Sequence, residues 1–335
     1  MTVGTHSCRA KVWHGSGDTV GLLDESDRWR SSTDLAHPAL AAHRPWWDSL
    51  FAFVQLLKPR MVALLVFTSA VGMVVAAAST GFGLSPLTFV LGLSAIIAGT
   101  AGCNAMTGFV DRDVDRVMER TRDRPLCTGR IHPASRAVVL GAVLLGISLV
   151  LSGLRNPLCL VFMSIGIVDN VVVYSLWLKR TSRWNIVLGG ISGGMPVAFG
   201  WAFVTGSLGL AAVLLAGLVV LWTPTHIWSL AFRYRDDYAR AGIPMLPVVT
   251  DERTALRCMV ATGALLVPFS LALPWATSVA GVGYLVVAAA FGLPLLAMSV
   301  WLWLRPTPTG AWTLFKFSSP YLAVVFLALL VSALW

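Results

Sequence analysis

Residues 86–130 read PLTFVLGLSAIIAGTAGCNAMTGFVDRDVDRVMERTRDRPLCTGR, a stretch that changes abruptly from apolar to highly charged. The first part, 86–108, contains no charged residue, and about 20 such residues are enough to cross a hydrocarbon core ~30 Å thick. The second part, 109–130, holds three closely spaced aspartates and six arginines. The stretch therefore predicts a transmembrane helix that ends in a charged loop at the membrane surface.

The rest of the chain repeats the apolar part of this pattern. Of its 335 residues 56% are hydrophobic and only 12% are charged, and the mean hydropathy is +0.75. Apolar runs of membrane-spanning length occur at 60–79, 86–108, 135–153, 157–177, 185–204, 208–230, 258–276, 283–304 and 316–335. We predict an all-α polytopic membrane protein with nine transmembrane helices.

The N-terminal segment differs in composition from everything that follows it. Residues 1–45 are polar and lack the continuous apolar run of a signal peptide or a first span. We predict a disordered cytoplasmic tail at 1–49 and a transmembrane domain at 50–335.

Basic residues give the spans an orientation. If the N-terminus is inside, every lysine and arginine outside the tail lies on the inner side except Arg155. This asymmetry is what the positive-inside rule expects of a protein with its N-terminus inside and its C-terminus outside. The net charge of +9 then reflects topology and gives little support to a nucleic-acid partner. The five cysteines show no metal-ligand spacing, which favours packing roles.

The charged loop offers a candidate metal site. If the helix of the second span continues past Phe109, Asp111 and Asp115 share one face at positions i and i+4, whereas Asp113 points away. A divalent cation relieves the repulsion between two such carboxylates, and Mg²⁺ typically takes one or two carboxylates together with substrate phosphate oxygens. The alternative is a solvated helix end whose acids pair with the neighbouring arginines 112, 116 and 120.

Basic residues near these aspartates suit a phosphate group. Arg120 and Arg124 follow in the same loop, and Lys179 and Arg180 open the next inner loop. Guanidinium groups bind phosphate in a bidentate manner. The alternative for any single one of them is that inner loops are basic in any case.

A second acidic segment occupies 223–249, TPTHIWSLAFRYRDDYARAGIPMLPVV. Asp236 and Asp237 offer a second metal or diphosphate site. His226 lies about three helical turns earlier, near the membrane face, and a lone histidine there is either functional or a hydrogen-bonded packing residue.

Five motifs appear together in this chain: LLKPRMVALLVFTSAVGM at 56–73, VDRDVDRVMERTRDRPL at 110–126, VYSLWLKRTSRWNIVLGGISGGMPVAFGW at 173–201, THIWSLAFRYRDDYARAGIPMLPVV at 225–249 and LFKFSSPYL at 314–322. In this order they resemble the UbiA superfamily of intramembrane prenyltransferases and, within it, the heme O synthases. The resemblance covers about 50–335. It implies nine helices around a central cavity, and a Mg²⁺-dependent transfer of a farnesyl group from farnesyl diphosphate to the vinyl group of protoheme IX (heme b).

The resemblance also assigns roles to residues. Asp111, Asp115 and Asp237 would hold the metal, with Asp236 as a helper of Asp237, and His226 would face the heme. The implied diphosphate clamp consists of Arg120, Arg124, Lys179 and Arg180. The family places an asparagine four residues before its first aspartate, where this chain has Thr107, with Asn104 one turn further back, and both are candidate substrate-binding residues.

The implied setting is a bacterial cell membrane, with lipid as the surrounding medium and heme A synthase or oxidase assembly proteins as further partners. Two other readings remain open at this point. One is a related prenyltransferase for a quinone precursor or another aromatic acceptor. The other is a non-catalytic paralogue that binds or transports a prenyl lipid or heme, although transporters usually place their site near the bilayer midplane.

Overall fold

The computed structural model describes residues 46–335, and the statements below concern that part of the chain. Its regular structure is helical throughout. The first helix begins at Trp46. Asp48 lies in the first turn of this helix, where a carboxylate favours helix initiation. The rest of the predicted tail lies outside the described residues, and its disorder stays a prediction.

Helices follow one another with short connections. The α-helices are Trp46–Leu56 (α1), Pro59–Thr80 (α2), Pro86–Val110 (α3), Arg112–Val117 (α4), Ser135–Arg155 (α5), Pro157–Val168 (α6), Lys179–Thr181 (α7), Asn185–Gly189 (α8), Ile191–Thr205 (α9), Leu210–Arg233 (α10), Arg235–Arg240 (α11), Leu246–Val249 (α12), Glu252–Leu271 (α13), Val282–Leu304 (α14) and Pro308–Leu334 (α15). A π-helix, Asp169–Leu178, joins α6 to α7, and a 3₁₀ turn, Leu273–Trp275, follows α13.

Nine of these helical segments, within the described residues, are long and apolar enough to cross a membrane. They are Pro59–Thr80, Pro86–Val110, Ser135–Arg155, Pro157–Thr181, Asn185–Thr205, Leu210–Arg233, Glu252–Leu271, Val282–Leu304 and Pro308–Leu334, called the first to ninth spans below. The predicted fold class and number of spans are confirmed.

Two predicted spans begin too late. The seventh starts at Glu252 instead of residue 258, because Asp251 caps the helix by accepting a hydrogen bond of 2.8 Å from the backbone N–H of Thr254. The ninth starts at Pro308 instead of residue 316, because Thr307 caps it in the same way through Gly310. In both cases local capping chemistry extends the helix beyond the apolar run that hydropathy detects.

The spans form a closed ring in which each packs against its chain neighbours and the ninth packs against the first. The fifth span crosses the interior and packs on the first. Glycines permit this approach: a Cβ on Gly200 would overlap the carbonyl oxygen of Ser69, and one on Gly72 would lie 2.8 Å from that of Val197. Small residues at such crossings let helices pack closely in lipid, where no hydrophobic effect drives them together.

The fourth and fifth spans depart from regular α-helix beside each other. The fourth changes to a π-helix at Asp169, and the fifth is interrupted between Gly189 and Ile191. The Asp169 carboxylate accepts a hydrogen bond of 2.8 Å from the backbone N–H of Ser192, in the first turn of α9. The Asp169 carboxylate therefore caps a helix that begins within the fifth span.

Candidate active site

The first acidic segment keeps the helical relationship that its spacing predicts. Asp111 lies between α3 and α4, yet its backbone N–H donates to the carbonyl of Thr107 and its carbonyl accepts from the N–H of Asp115. Asp111 and Asp115 are buried, whereas the Asp113 side chain is 65% exposed. The i, i+4 pair thus shares the inner face, and the residue between them faces outward.

Each of the two buried carboxylates pairs with a cationic side chain, and these four residues are called the charged cluster below. Lys179 Nζ lies 2.7 Å from Asp111 Oδ2, and Arg124 Nη1 lies 2.5 Å from Asp115 Oδ2. These partners are predicted phosphate-binding residues rather than the adjacent arginines of the helix-end alternative. Carboxylates and cations are therefore assembled at one end of the bundle.

Arg180 pairs with the exposed Asp113 and not with either buried aspartate. Its guanidinium binds both carboxylate oxygens of Asp113, at 2.7 and 2.8 Å, and also donates to the carbonyl of Val110. This bidentate contact holds the pKa of Asp113 down at about 2. Arg180 consequently anchors the fourth span to the outer face of α4, whereas its neighbour Lys179 reaches the buried Asp111.

Asp111 retains one free coordinating atom. Its Oδ1 is buried and has no hydrogen-bond partner among the described residues, although Oδ2 is paired with Lys179. An unpaired buried carboxylate oxygen is costly unless something binds it. Because Mg²⁺ needs only one or two carboxylates when phosphate oxygens complete its shell, the Asp111 and Asp115 pair fits such an ion.

Asp237 organises the loop that follows the first acidic segment. Its Oδ1 accepts hydrogen bonds of 2.9 Å from the backbone N–H of Glu119 and from Arg240, and its Oδ2 lies 3.5 Å from the N–H of Arg120. Burial opposes ionisation, but these donors outweigh it and hold the pKa of Asp237 below its usual value. The two acidic segments are therefore tied together through this carboxylate.

The structure does not assemble all three predicted metal ligands into one group. No cluster of three metal-ligating side chains occurs in residues 46–335, and the oxygens of Asp237 are already engaged. Asp236 was predicted to help Asp237, but it is exposed while Asp237 is buried. Adjacent residues on α11 point in different directions, so only one of them can face the loop.

Arg120 and Thr107 are placed in ways the spacing leaves undetermined. The Arg120 side chain is exposed, and its backbone N–H lies 3.5 Å from Asp237 Oδ2. Thr107 is buried one turn before Asp111, and its hydroxyl makes a long hydrogen bond of 3.4 Å to the carbonyl of Asn104. Asn104 donates through Nδ2 to the carbonyl of Leu57 at 2.9 Å, and it lines the apolar cavity described below.

Lys58 lies beside the charged cluster, and sequence patterns did not single it out as a site residue. It precedes α2 with a φ of 53°, in the left-handed region, and it lines a small pocket together with Asp115 and Arg124. Burial and the nearby Arg124 lower its pKa to about 8, against the opposing effect of Asp115. The KPR sequence at 58–60 was the available signal, but the basic character of every inner loop obscured it.

An apolar cavity of about 330 Å³ lies among the spans. It is lined mainly by aliphatic, aromatic and methionine side chains of the first, second, fourth, fifth, sixth and ninth spans. Asn104 belongs to this lining, and it lies on the second span about two helical turns before Asp111. The cavity therefore extends from the apolar interior towards the charged cluster.

His226 lies on the wall of this cavity. Its imidazole is stacked between the rings of Trp222 and Phe315, with both centroid distances 4.3 Å, and its Nδ1 lies 2.8 Å from the Ser318 hydroxyl. Of the predicted residues, the structure thus brings together Asp111, Asp115, Arg124 and Lys179 in the charged cluster, and Asn104 and His226 in the cavity.

Comparison with known proteins gives this arrangement a context. The chain is 49% identical to a protoheme IX farnesyltransferase of Desulforudis audaxviator, over 94% of this chain and 98% of that protein. It is 42% identical to protoheme IX farnesyltransferase 2 of Cenarchaeum symbiosum, over 84% of this chain and 95% of that protein.

Solved structures share the fold at lower identity. A digeranylgeranylglyceryl phosphate synthase superposes with a TM-score of 0.70 at 22% identity, covering 85% of this chain and 99% of that one. A UbiA homologue of Archaeoglobus fulgidus, solved with DMAPP and Mg²⁺, gives a TM-score of 0.58 at 18% identity, covering 83% and 98%. Residues 65–330 match the UbiA prenyltransferase family, and the chain therefore belongs to that family.

Proposed function

We propose that this chain transfers the farnesyl group of farnesyl diphosphate to a vinyl group of protoheme IX and so makes heme O. The observation that carries the proposal is its similarity, over 94% of its length, to a protein named protoheme IX farnesyltransferase. The geometry supports it, because a cluster of carboxylates and cations adjoins an apolar cavity. The cluster suits the diphosphate end of farnesyl diphosphate, and the apolar cavity suits its farnesyl chain and the hydrophobic porphyrin.

The diphosphate group binds at the cationic side of the cluster. Lys179, Arg124 and Lys58 surround the buried aspartates and are positioned to contact its oxygens. Bidentate guanidinium contacts and ammonium charges stabilise phosphate oxygens most strongly where water is scarce. Arg120, on the loop that Asp237 fixes, provides a further cation at the rim.

Asp111 and Asp115 are the residues that would hold Mg²⁺, as the unpaired Oδ1 of Asp111 indicates. The ion supplies charge neutralisation for the departing diphosphate. For Asp237 to act as a further ligand, as the sequence resemblance implies, it must exchange one of its bonds to the loop. A Mg²⁺-bound relative of the same fold is consistent with this cofactor.

The reaction breaks the bond between C1 of the farnesyl group and the bridging oxygen, and the diphosphate leaves with the electron pair. The protein's cations stabilise the charge that develops on those oxygens. A vinyl carbon of the porphyrin then bonds to C1, and water adds to the resulting carbocation with loss of a proton. The apolar cavity walls keep other water away from the allylic cation before the vinyl group reacts.

Two competing functions are separated by what the cavity accepts. A prenyltransferase for a quinone precursor would use the same ionic cluster with a different acceptor. A transporter would need ionisable groups along a route through the membrane. In the described spans, Asp169 is the buried acid away from the cluster, and its carboxylate is occupied as a helix cap, which favours the enzyme.

The orientation and setting belong to the same proposal. We place the N-terminus and the charged cluster on the cytoplasmic side of a bacterial cell membrane, because the basic residues gather on that side. Lipid surrounds the exposed apolar faces of the spans. Heme A synthase and oxidase assembly proteins are expected partners, because the product must pass to them through the membrane.

The test uses the full chain, purified and reconstituted in lipid nanodiscs. It is incubated with protoheme IX, farnesyl diphosphate and Mg²⁺, and the porphyrins are analysed by mass spectrometry. The proposal predicts a product with the mass of heme O that depends on Mg²⁺ and on Asp111. Prenylation of an aromatic acceptor, with protoheme IX returned unchanged, would assign the chain to the other acceptor class.

A further inference from the structure

The Ser318 hydroxyl lies at the centre of a hydrogen-bonded chain that links the sixth and ninth spans. It donates a hydrogen bond of 2.8 Å to the carbonyl oxygen of Phe315, and its oxygen lies 2.8 Å from Nδ1 of His226. A serine hydroxyl carries one proton. A hydroxyl that donates to Phe315 can only accept at its other contact, so in this arrangement the hydrogen there comes from the imidazole.

This arrangement corresponds to one tautomer of a neutral His226. Nδ1 carries the proton and donates it to Ser318, so Nε2 carries the lone pair. Nε2 has no hydrogen-bond partner among the described residues, and protein atoms do not fully enclose it. Trp222 and Phe315 cover both faces of the ring, and the edge that contains Nε2 is the one left to line the cavity.

Ser318 also binds Trp222, one of the two aromatic rings that stack on His226. Its backbone carbonyl accepts a hydrogen bond of 2.7 Å from Nε1 of Trp222, and Ser318 itself is fully buried. One residue therefore contacts both the stacking partner and the imidazole.

We propose that Ser318 is a positioning residue that presents the Nε2 lone pair of His226 to the iron of a porphyrin in the cavity. Metal-binding histidines almost always donate their other N–H to a carbonyl, carboxylate or water, which orients the ring and raises its basicity. Here Nδ1–H reaches a carbonyl through the serine hydroxyl. The identity of the bound metal rests on the proposed function, whereas the tautomer does not.

The tautomer is tested by ¹⁵N NMR of the reconstituted full chain labelled at the histidine ring nitrogens. His226→Gln identifies the resonances of interest by removing them. We expect the wild-type chain to show a protonated Nδ1 and an unprotonated Nε2, and Ser318→Ala to shift the population towards the other tautomer. An unchanged tautomer in Ser318→Ala would overturn the positioning role whether or not the chain acts on heme.

The ligand is tested by titrating the same samples with protoheme IX and with metal-free protoporphyrin IX. We expect an optical and EPR spectrum of nitrogen-ligated heme that disappears in His226→Gln. Ser318→Ala should weaken protoheme binding about tenfold or more, the usual size of such outer contacts, and leave metal-free porphyrin unaffected. Ser318→Thr keeps the hydroxyl and should retain the spectrum.

The outcomes separate the two proposals. Equal weakening for both porphyrins in Ser318→Ala means that Ser318 only packs, and a nitrogen-ligated spectrum in His226→Gln excludes this ligand. In His226→Gly, free imidazole should restore the spectrum equally with Ser or Ala at position 318, because the added ring needs no positioning. Formation of heme O with no His226-dependent spectrum refutes this inference alone, whereas loss of heme binding by the wild-type chain refutes the proposed function.

Discussion

Lys58 illustrates how one residue can acquire a role from its surroundings. Its φ of 53° is a conformation that residues other than glycine adopt rarely, at a cost of about 1 kcal/mol. In return, the backbone turns sharply before α2, and the ammonium reaches the cluster around Asp115 and Arg124. Neighbouring cations repel each other, and binding of an anion between them would offset that repulsion.

The pKa of Lys58, lowered to about 8, predicts a pH dependence of substrate affinity. Its positive charge is present below that pH and is lost as pH rises through it, so KM for farnesyl diphosphate should increase between about pH 7 and 9. Lys58→Arg keeps its charge throughout and should flatten this profile. Lys58→Met should have a high KM at both ends, and a wild-type profile in that variant would remove Lys58 from the site.

The three aspartates of the first acidic segment should differ sharply in importance. Asp111→Asn and Asp115→Asn each weaken the buried Mg²⁺ site at a step that separates charge, and we expect farnesyl transfer to fall by about 100-fold or more, or ~2.7 kcal/mol. Asp113→Asn alters an outward-facing pair with Arg180 and serves as the matched control, with a loss below about threefold. Similar losses in all three variants would refute the assignment by helical face.

Asp169 predicts an effect at the level of the helices. Its carboxylate satisfies a backbone N–H at the start of α9, inside the membrane. Asp169→Ala leaves that donor without a partner, and we expect a loss of about 1–3 kcal/mol in stability, seen as a lower unfolding temperature in nanodiscs. Asp169→Asn retains an acceptor oxygen and should be nearly as stable as the wild type. If Asn and Ala destabilise equally, the negative charge rather than the cap is required.

The contact between the first and fifth spans makes a second prediction at this level. An alanine Cβ at position 200 would overlap the Ser69 carbonyl oxygen, so Gly200→Ala must push the spans apart and should cost about 1–3 kcal/mol. Gly146→Ala is the matched control, because open space surrounds that position on the exposed side of α5. It should be neutral or slightly stabilising, since alanine favours helix by about 1 kcal/mol. Equal unfolding temperatures for the two variants would contradict the close approach.

At the scale of the whole molecule, the fold is the part that composition determines best. The bilayer has a fixed thickness, so an apolar run of sufficient length predicts a span with little ambiguity. The errors occurred at Glu252 and Pro308, where capping residues rather than hydropathy decide where the helix begins. The interruption between Gly189 and Ile191 was also missed, because it depends on a carboxylate from another span.

Residue spacing alone predicted contacts in the candidate site only where the residues share one helix. The 3.6-residue period placed Asp111 and Asp115 together, since both belong to the same short stretch. Lys58 and Ser318 could not be found that way, because each meets its partners through tertiary packing. The difference between Asp236 and its neighbour Asp237 is a rotation of α11, which packing sets and the sequence of that helix does not.

The orientation of the molecule is the last prediction, and it follows from charge and the odd number of spans together. Arg155 ends the third span and binds the carbonyl oxygens of Phe203 and Val204, so this cation at the outer end is consumed by capping the fifth span. The cluster around Asp111 and Asp237 lies at the opposite, basic end, which the positive-inside rule places in the cytoplasm. A reporter after Asn156 and one after Trp335 should therefore both lie outside. Alkaline phosphatase fused at either position should be active, and green fluorescent protein fused there should not fluoresce. A reporter after Arg240 should give the reverse result and is the internal control. Fluorescence from the C-terminal fusion would require an even number of spans, which contradicts the nine described here, whereas reversal of all three reporters would keep the nine spans and invert the protein in the membrane.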